Sequence, residues 1–146
     1  MMILIIIFLI LSLDQLTKLL VTKSLSFNQS IPLLKGVLHL TLIHNRGAAF
    51  GILKNQVPLF IVTSIFAIIL IYLNLKDKNQ GKLYSVSLSL ILAGALGNLI
   101  DRIFRGYVID FLDFRIWPVF NVADSAITIG VILLGYSILC ISKSAQ

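Results

Sequence analysis

Long apolar runs alternate with short polar stretches along this chain, and several of the runs have the length of membrane-crossing helices. Residues 2–21, 57–75, 83–100 and 121–141 each approach the roughly 20 apolar residues a spanning helix needs. Pro58 stands where a first helical turn tolerates proline. The stretch between the first two runs has a different period. In Val37-Leu38-His39-Leu40-Thr41-Leu42-Ile43-His44, Leu38, Leu40 and Leu42 fall on one face at period two, which predicts a strand. Asn45-Arg46-Gly47 supplies turn chemistry, and Ala48 to Leu53 is the expected return strand of a hairpin. Open sheet edges do not survive in hydrocarbon, so this β-cradle, over about 36–53, belongs at the interface. The expected fold is therefore an all-α membrane protein of four transmembrane helices, with a small extracytoplasmic β-cradle between helices 1 and 2.

Small residues mark the expected helix contacts. Ser85, Ser89, Ala93 and Gly97 recur every fourth position on the third helix, and Asp101 continues their stripe. Gly130 and Gly135 do the same for the fourth, while Trp117 and Phe120 suit an interfacial belt. Four spans return both termini to one side and gather Ser24 to Gln56 with Asp101 to Pro118 on the other. Charge gives a mixed signal about orientation. The Lys76 to Lys82 turn looks cytoplasmic, but a raw count on the opposite face, with Lys23, Lys35, Arg46, Lys54, Arg102, Arg105 and Arg115, opposes the positive-inside rule.

Composition narrows the class. Of 146 residues, 58% are hydrophobic and only 12% charged, far from an ordinary soluble domain and consistent with one integral membrane domain over 1–146. The formal charge of +6 comes from scattered lysines and arginines, with no basic run, so membrane lipids rather than nucleic acid are the expected counter-charge. Met1 to Leu13 lacks a basic n-region and an Ala-x-Ala cleavage site, and reads as a retained first helix. Cys140 is the single cysteine; its apolar surroundings favour an inert core thiol.

Four of the six acidic residues, Asp101, Asp110, Asp113 and Asp124, lie between the end of the third span and the first turn of the fourth, where an ionisable side chain is read as functional. Asp124 sits three residues after Asn121, the spacing of a capping box. A carboxylate there is also kept ionised by the helix dipole, which suits a general base. Asp110 lies among large apolar residues, as an interfacial loop aspartate or as a group whose pKa is raised by burial and by a second carboxylate. A carboxylate pair sharing one proton can activate water with one member and donate to a carbonyl with the other. Asp14 and Lys18, four apart on one helical face, read as an ion pair near the membrane surface with Lys18 snorkelling outward, or as part of the site. Asp101 and Arg102 read as self-neutralising neighbours, or with Arg102 free to bind a substrate carbonyl or headgroup phosphate. Asn98, one turn earlier, faces the same way. Asp113 and Arg115 read as a surface pair. His39 and His44 make no zinc pattern and the chain has no glutamate, so neither a metal nor a cofactor is expected; no Gly-x-Ser-x-Gly occurs, so a serine mechanism lacks its usual sign.

Taken in order, Asp14-Gln15-Leu16-Thr17-Lys18, Asn45-Arg46-Gly47-Ala48-Ala49-Phe50, Gly97-Asn98-Leu99-Ile100-Asp101-Arg102, Val108-Ile109-Asp110-Phe111 and Phe120-Asn121-Val122-Ala123-Asp124 resemble the motif series of the bacterial lipoprotein signal peptidase (type II signal peptidase) family. The resemblance implies a monomeric, multi-pass aspartic endopeptidase of the cytoplasmic (inner) membrane, with cytoplasmic termini and its active site near the extracytoplasmic face. It implies cleavage of prolipoproteins just before a cysteine that carries diacylglycerol, and inhibition by globomycin-type lipopeptides. Carried over by motif, Asp110 and Asp124 are catalytic. Asn98, Arg102 and Asn121 line the site, Asn45 comes from the cradle, and Asp14, Lys18 and Asp101 support it. One departure is a short segment between Asp110 and Asp124, which trims the lid over the site.

Two other classes fit less well. A metal-dependent CDP-alcohol phosphotransferase also gathers aspartates at a membrane face, but Phe114 and Arg115 follow Asp113 where that family needs glycine and further acids. A proton-coupled transporter would hold its aspartates near the bilayer midplane.

Overall fold

The computed structural model describes residues 1–47, 53, 55–76 and 81–144, with side chains to 139. Among these residues, four helices and three strands follow in the order α1 (Met2–Ser24), β1 (Ser30–Leu34), β2 (Leu38–Asn45), α2 (Val57–Leu75), α3 (Lys82–Arg105), β3 (Val108–Asp113) and α4 (Val122–Ser144). All four helices are long and apolar enough to cross a membrane. Their outward faces carry exposed leucine, isoleucine, valine and phenylalanine, including Leu4 and Phe8 on α1 and Val62 and Phe66 on α2, as lipid-facing surfaces require. The third helix is the exception. Half of its spanning window is buried, against none of α2, so α3 is the inner helix on which the others pack.

The small-residue stripe explains that placement. Ser89 and Ala93 are fully buried, and the Ser87 and Ser89 hydroxyls donate to the carbonyl oxygens one turn back, at 2.7 and 2.6 Å, so neither needs a partner on another helix. A Cβ on Gly94 would run into the Ala123 carbonyl oxygen of α4, and one on Gly97 would lie 2.5 Å from Asp14 Oδ2 of α1. Only glycine admits both neighbours at these heights. Gly130 is close-packed in the same way against Ile91 and Ser87, whereas a Cβ on Gly135 would meet none of the described atoms within 4 Å. The packing role expected of Gly135 is therefore not found, because that side of α4 faces outward.

The third helix also runs farther than its uncharged stretch predicts. It continues through Asp101 and Arg102 to Arg105 and stops at Gly106, whose φ of 74° is the left-handed conformation that closes a helix. The extra turn carries charged residues beyond the apolar run.

The sheet is antiparallel in the order β1-β2-β3. The predicted strand at Leu38 is β2, but its partners are β1 and β3, with Ile43 opposite Asp110. The return strand expected over Ala48 to Leu53 lies outside the described residues except at Leu53, as do residues 77–80 of the α2–α3 turn and the Cys140 side chain. The third strand comes from between α3 and α4, so Asp110 sits on a strand and not in a loop. Leu42 on β2 packs with Ile109 and Phe111 of β3 and with Val21 and Leu25 at the end of α1, a small apolar core that pins the sheet to the bundle.

Gly94→Val should lower thermal stability in detergent by about 1–3 kcal/mol, the usual cost of overpacking, while Gly135→Ala should leave it unchanged. Equal unfolding temperatures for Gly94→Val and the parent would contradict the close α3–α4 approach.

Candidate active site

The site begins where α4 begins. The Asn121 Oδ1 accepts the Asp124 backbone N–H at 2.9 Å, and Asp124 Oδ2 accepts the Asn121 N–H at 3.2 Å, so the capping box expected from the spacing is formed in both directions. A third amide of that helix start, Ala123 N–H, donates to Asp14 Oδ1 of α1 at 3.0 Å. Unpaired amides at a helix N-terminus call for such acceptors. Here they fix Asp124 in place from two helices.

Behind this cap lies a buried ion cluster. Lys18 has no exposed surface, and its Nζ lies 2.9 Å from Asp14 Oδ2 and 2.9 Å from Asp101 Oδ2, and donates to Asn98 Oδ1 at 3.0 Å. Snorkelling is thus the wrong description of Lys18: three acceptors inside the bundle hold it there. Asp101 pairs with Lys18 and, at 2.6 Å, with Arg105. Its expected partner Arg102 is instead turned away, its guanidinium 5.1 Å from the Phe60 ring centroid. On a continuous helix, residues four apart meet and adjacent ones do not, and Asp101 is in the helix. Asp101 Oδ2 also accepts the Ile109 N–H at 3.2 Å, which ties β3 to α3.

Asn98 and Asn121 carry that order to the two outer carboxylates. Asn98 Nδ2 donates to Asp124 Oδ1 at 2.7 Å, and Asn121 Nδ2 donates to Asp110 Oδ1 at 2.7 Å. The amides are themselves joined, Asn121 Nδ2 to Asn98 Oδ1 at 3.1 Å. From β2, Asn45 Nδ2 donates to Asp110 Oδ2 at 2.9 Å. Asp110 and Asp124 both line a cavity of about 230 Å³, with Asn45, Asn98 and Arg102 on its walls and Trp117 to Phe120 across it. Asp110 is buried, which pushes its pKa up to about 7, and the neighbouring Asp124 charge pushes the same way; the Asn45 and Asn121 hydrogen bonds and Lys18 oppose this. Burial thus favours the protonated form of this carboxyl far more than water would.

Among the described residues, two further grooves reach Asp124. One, of about 360 Å³, opens between α2, α3 and α4 past Thr63, Ala67 and Ile127; the other, of about 380 Å³ and mostly apolar, runs from Trp117 along Ser125, Thr128 and Ile129.

Every residue expected at the site is drawn into this assembly. Asp113 keeps its expected partner Arg115 but not its expected surface position. It is buried, accepts the Thr41 hydroxyl at 2.7 Å and lies 3.6 Å from Arg115. Burial pushes its pKa up, but Thr41, the Arg115 N–H and charge, and His39 together hold it below the ordinary carboxylate value. Three contributors were not singled out from the sequence. Gln15 Nε2 donates to Asp14, to the Gly97 carbonyl and, at 3.5 Å, to Asp101; Arg105 and Thr41 complete the buried acids. The Asp101–Arg105 spacing signalled its pair, whereas nothing local signals Gln15 or Thr41.

The signal peptidase II family model matches residues 6–140. The lipoprotein signal peptidase of Halothermothrix orenii is 52% identical over 135 residues, covering 91% of this chain and 92% of its own. That of Moorella thermoacetica is 48% identical over 132 residues, covering 90% and 88%. Among solved structures, a bacterial membrane enzyme at 2.3 Å superposes with a TM-score of 0.93 at 33% identity, covering 99% of this chain and 92% of its own. Another, at 1.9 Å, gives 0.87 at 35% identity, covering 94% and 92%. With its four membrane-crossing helices, its small antiparallel sheet and this match over almost its whole length, the chain belongs to the signal peptidase II family of membrane peptidases.

Proposed function

We propose that this protein is an aspartic endopeptidase that removes the signal peptide from prolipoproteins whose cysteine already carries diacylglycerol, cutting just before that cysteine. The observation that carries the reading is the Asp110–Asp124 pair in one cavity, with Asp110 raised to about 7. Such a pair holds one proton between its two carboxyl groups, the state in which it can act as base and acid at once.

The ionised member is Asp124, at the positive end of the α4 dipole with N–H donors on both oxygens. It takes a proton from water, and the hydroxide oxygen bonds to the scissile carbonyl carbon. Protonated Asp110 donates a hydrogen bond to the carbonyl oxygen as it gains negative charge. Collapse of the tetrahedral intermediate breaks the C–N bond, and the proton gained by Asp124 passes to the leaving amine. The proton belongs to the pair, so its resting position is a property of both carboxylates. Asn45, Asn98 and Asn121 hold the carboxylates, Arg102 faces the cavity as a donor for a substrate carbonyl or phosphate, and Asp14, Lys18 and Asp101 anchor the amides. The two grooves that reach Asp124 suit a substrate with two apolar parts, a signal helix and acyl chains.

The protein acts as a monomer in the cytoplasmic (inner) membrane, with the sheet and cavity at the extracytoplasmic face and both termini cytoplasmic. Globomycin-type lipopeptides inhibit it by occupying the cavity.

Three measurements test this. Purified protein in detergent should cleave a diacylglyceryl-modified prolipoprotein and leave the unmodified form intact; equal cleavage of both would remove the lipid from the reading. Asp110→Asn and Asp124→Asn should each lower turnover by at least roughly a hundredfold without loss of folding, and normal turnover by either would sink the pair. Because the acid form of Asp110 is lost as pH rises through about 7 in the free protein, kcat/KM should fall above that pH, by about tenfold per unit once well past it. A flat profile to pH 9 contradicts the assignment of Asp110 as the proton donor.

A further inference from the structure

Outside the carboxylate pair, one polar cluster joins the sheet to the segment that walls the cavity. Residues 114–120 leave β3, pass over the cavity with Trp117, Pro118 and Val119, and return at Phe120. The return is well held. Phe120 N–H donates to the Leu112 carbonyl at 3.0 Å, the Phe111 and Leu112 N–H groups donate to the Phe120 carbonyl at 2.9 and 2.7 Å, and the Phe114 and Phe120 rings stack at 5.8 Å. The middle is outward, with Ile116 at 93% and Trp117 at 62% exposure.

The departure is held by Arg115. Its Nη2 donates to His39 Nδ1 at 2.6 Å and to Ser30 Oγ at 3.0 Å, and its Nη1 lies 3.6 Å from Asp113 Oδ2. Those three partners belong to β2, β1 and β3. Asp113 is braced from behind by the Thr41 hydroxyl, and Thr41 by the Ser30 hydroxyl at 2.8 Å. The Arg115 backbone is in the left-handed region at φ 67°, with its N–H on Asp113 Oδ1 at 2.9 Å. A non-glycine side chain is disfavoured there. That an arginine occupies the turn, with its guanidinium spread over all three strands, points to a use for the side chain.

We infer that Arg115 is a positioning residue: its guanidinium clamps the 114–120 strap to the sheet, and thereby sets how firmly the cavity wall closes on the bound peptide. It touches none of the reacting atoms, so its removal weakens binding and spares the chemical step. With Nδ1 unprotonated, His39 is the acceptor of the Nη2 bond and belongs to the clamp in that form.

This rests on the proposed cutting site lying in the cavity, and the test separates the two. Arg115→Gly keeps the positive φ and deletes the guanidinium. Trp117 is the chain's one tryptophan, so its emission reports on the strap without any turnover. In Arg115→Gly, acrylamide quenching of Trp117 should rise, and KM for the diacylglyceryl-modified prolipoprotein should increase roughly fivefold with kcat within about twofold, the loss expected for one or two hydrogen bonds. Arg115→Lys, which keeps the charge and loses the fork, should fall between, and it replaces the glycine variant if that fails to fold. Asp110→Asn should leave the quenching unchanged. Parent-like quenching and KM in both Arg115 variants overturn the clamp, as does a fall in kcat at constant KM. Altered quenching with unaltered KM also overturns it, since the strap would then move without affecting the bound peptide.

Discussion

A lysine ammonium with no exposed surface is the constraint on which the rest depends. A lone buried cation is too costly to persist, so Lys18 demands acceptors, and it has Asp14, Asp101 and Asn98. Asp14 and Asp101 with Lys18 and Arg105 make a neutral quartet. That leaves Asp110 and Asp124 facing Arg102, two carboxylates against one cation. A single proton on the pair makes the whole assembly neutral. Burial first, and the Asp124 charge second, raise the pKa of Asp110, in the direction this count favours.

The fold serves that balance by bringing four elements to one end of the bundle. Glycines at 94 and 97 let α4 and α1 close on α3, which puts the Asp14 carboxylate and the α4 amides within hydrogen-bonding distance. The overrun of α3 past its apolar stretch delivers Asp101 and Arg102 at that end. The sheet then carries Asp110 over the top, tied down by the Asp101 bond to Ile109 and by Asn121. Asn98 and Asn121 matter because an amide can accept from one neighbour and donate to the next. Lys18 thereby orients Asp124 through Asn98, without touching it.

Much of this was legible in the sequence because the bilayer simplifies the code. Apolar length gave the spans, the four-residue stripe gave the face of α3, and Asn121 to Asp124 gave the capping box. What failed to read had physical causes. A lysine four residues after an aspartate near a helix end looks alike whether it snorkels or is buried; only the packing of α3 against α1 decides. Asp113 looked like a surface partner of Arg115 because the β2–β3 pairing that buries it against Thr41 joins residues 72 apart in the chain. For the same reason β3 read as a loop: its partner strand comes from before α2. Arg105 was readable from helical spacing once the helix was known to continue beyond Ile100.

The proton proposed to be shared by Asp110 and Asp124 is open to direct observation. Infrared spectroscopy of the detergent-solubilised protein resolves the carbonyl stretch of a protonated carboxyl from ionised carboxylates. One such band should be present at pH 6, fade as pH rises through about 7, and be missing at both values in Asp110→Asn. No protonated carboxyl at pH 6, or a band that Asp110→Asn leaves untouched, would contradict a proton held by the Asp110–Asp124 pair.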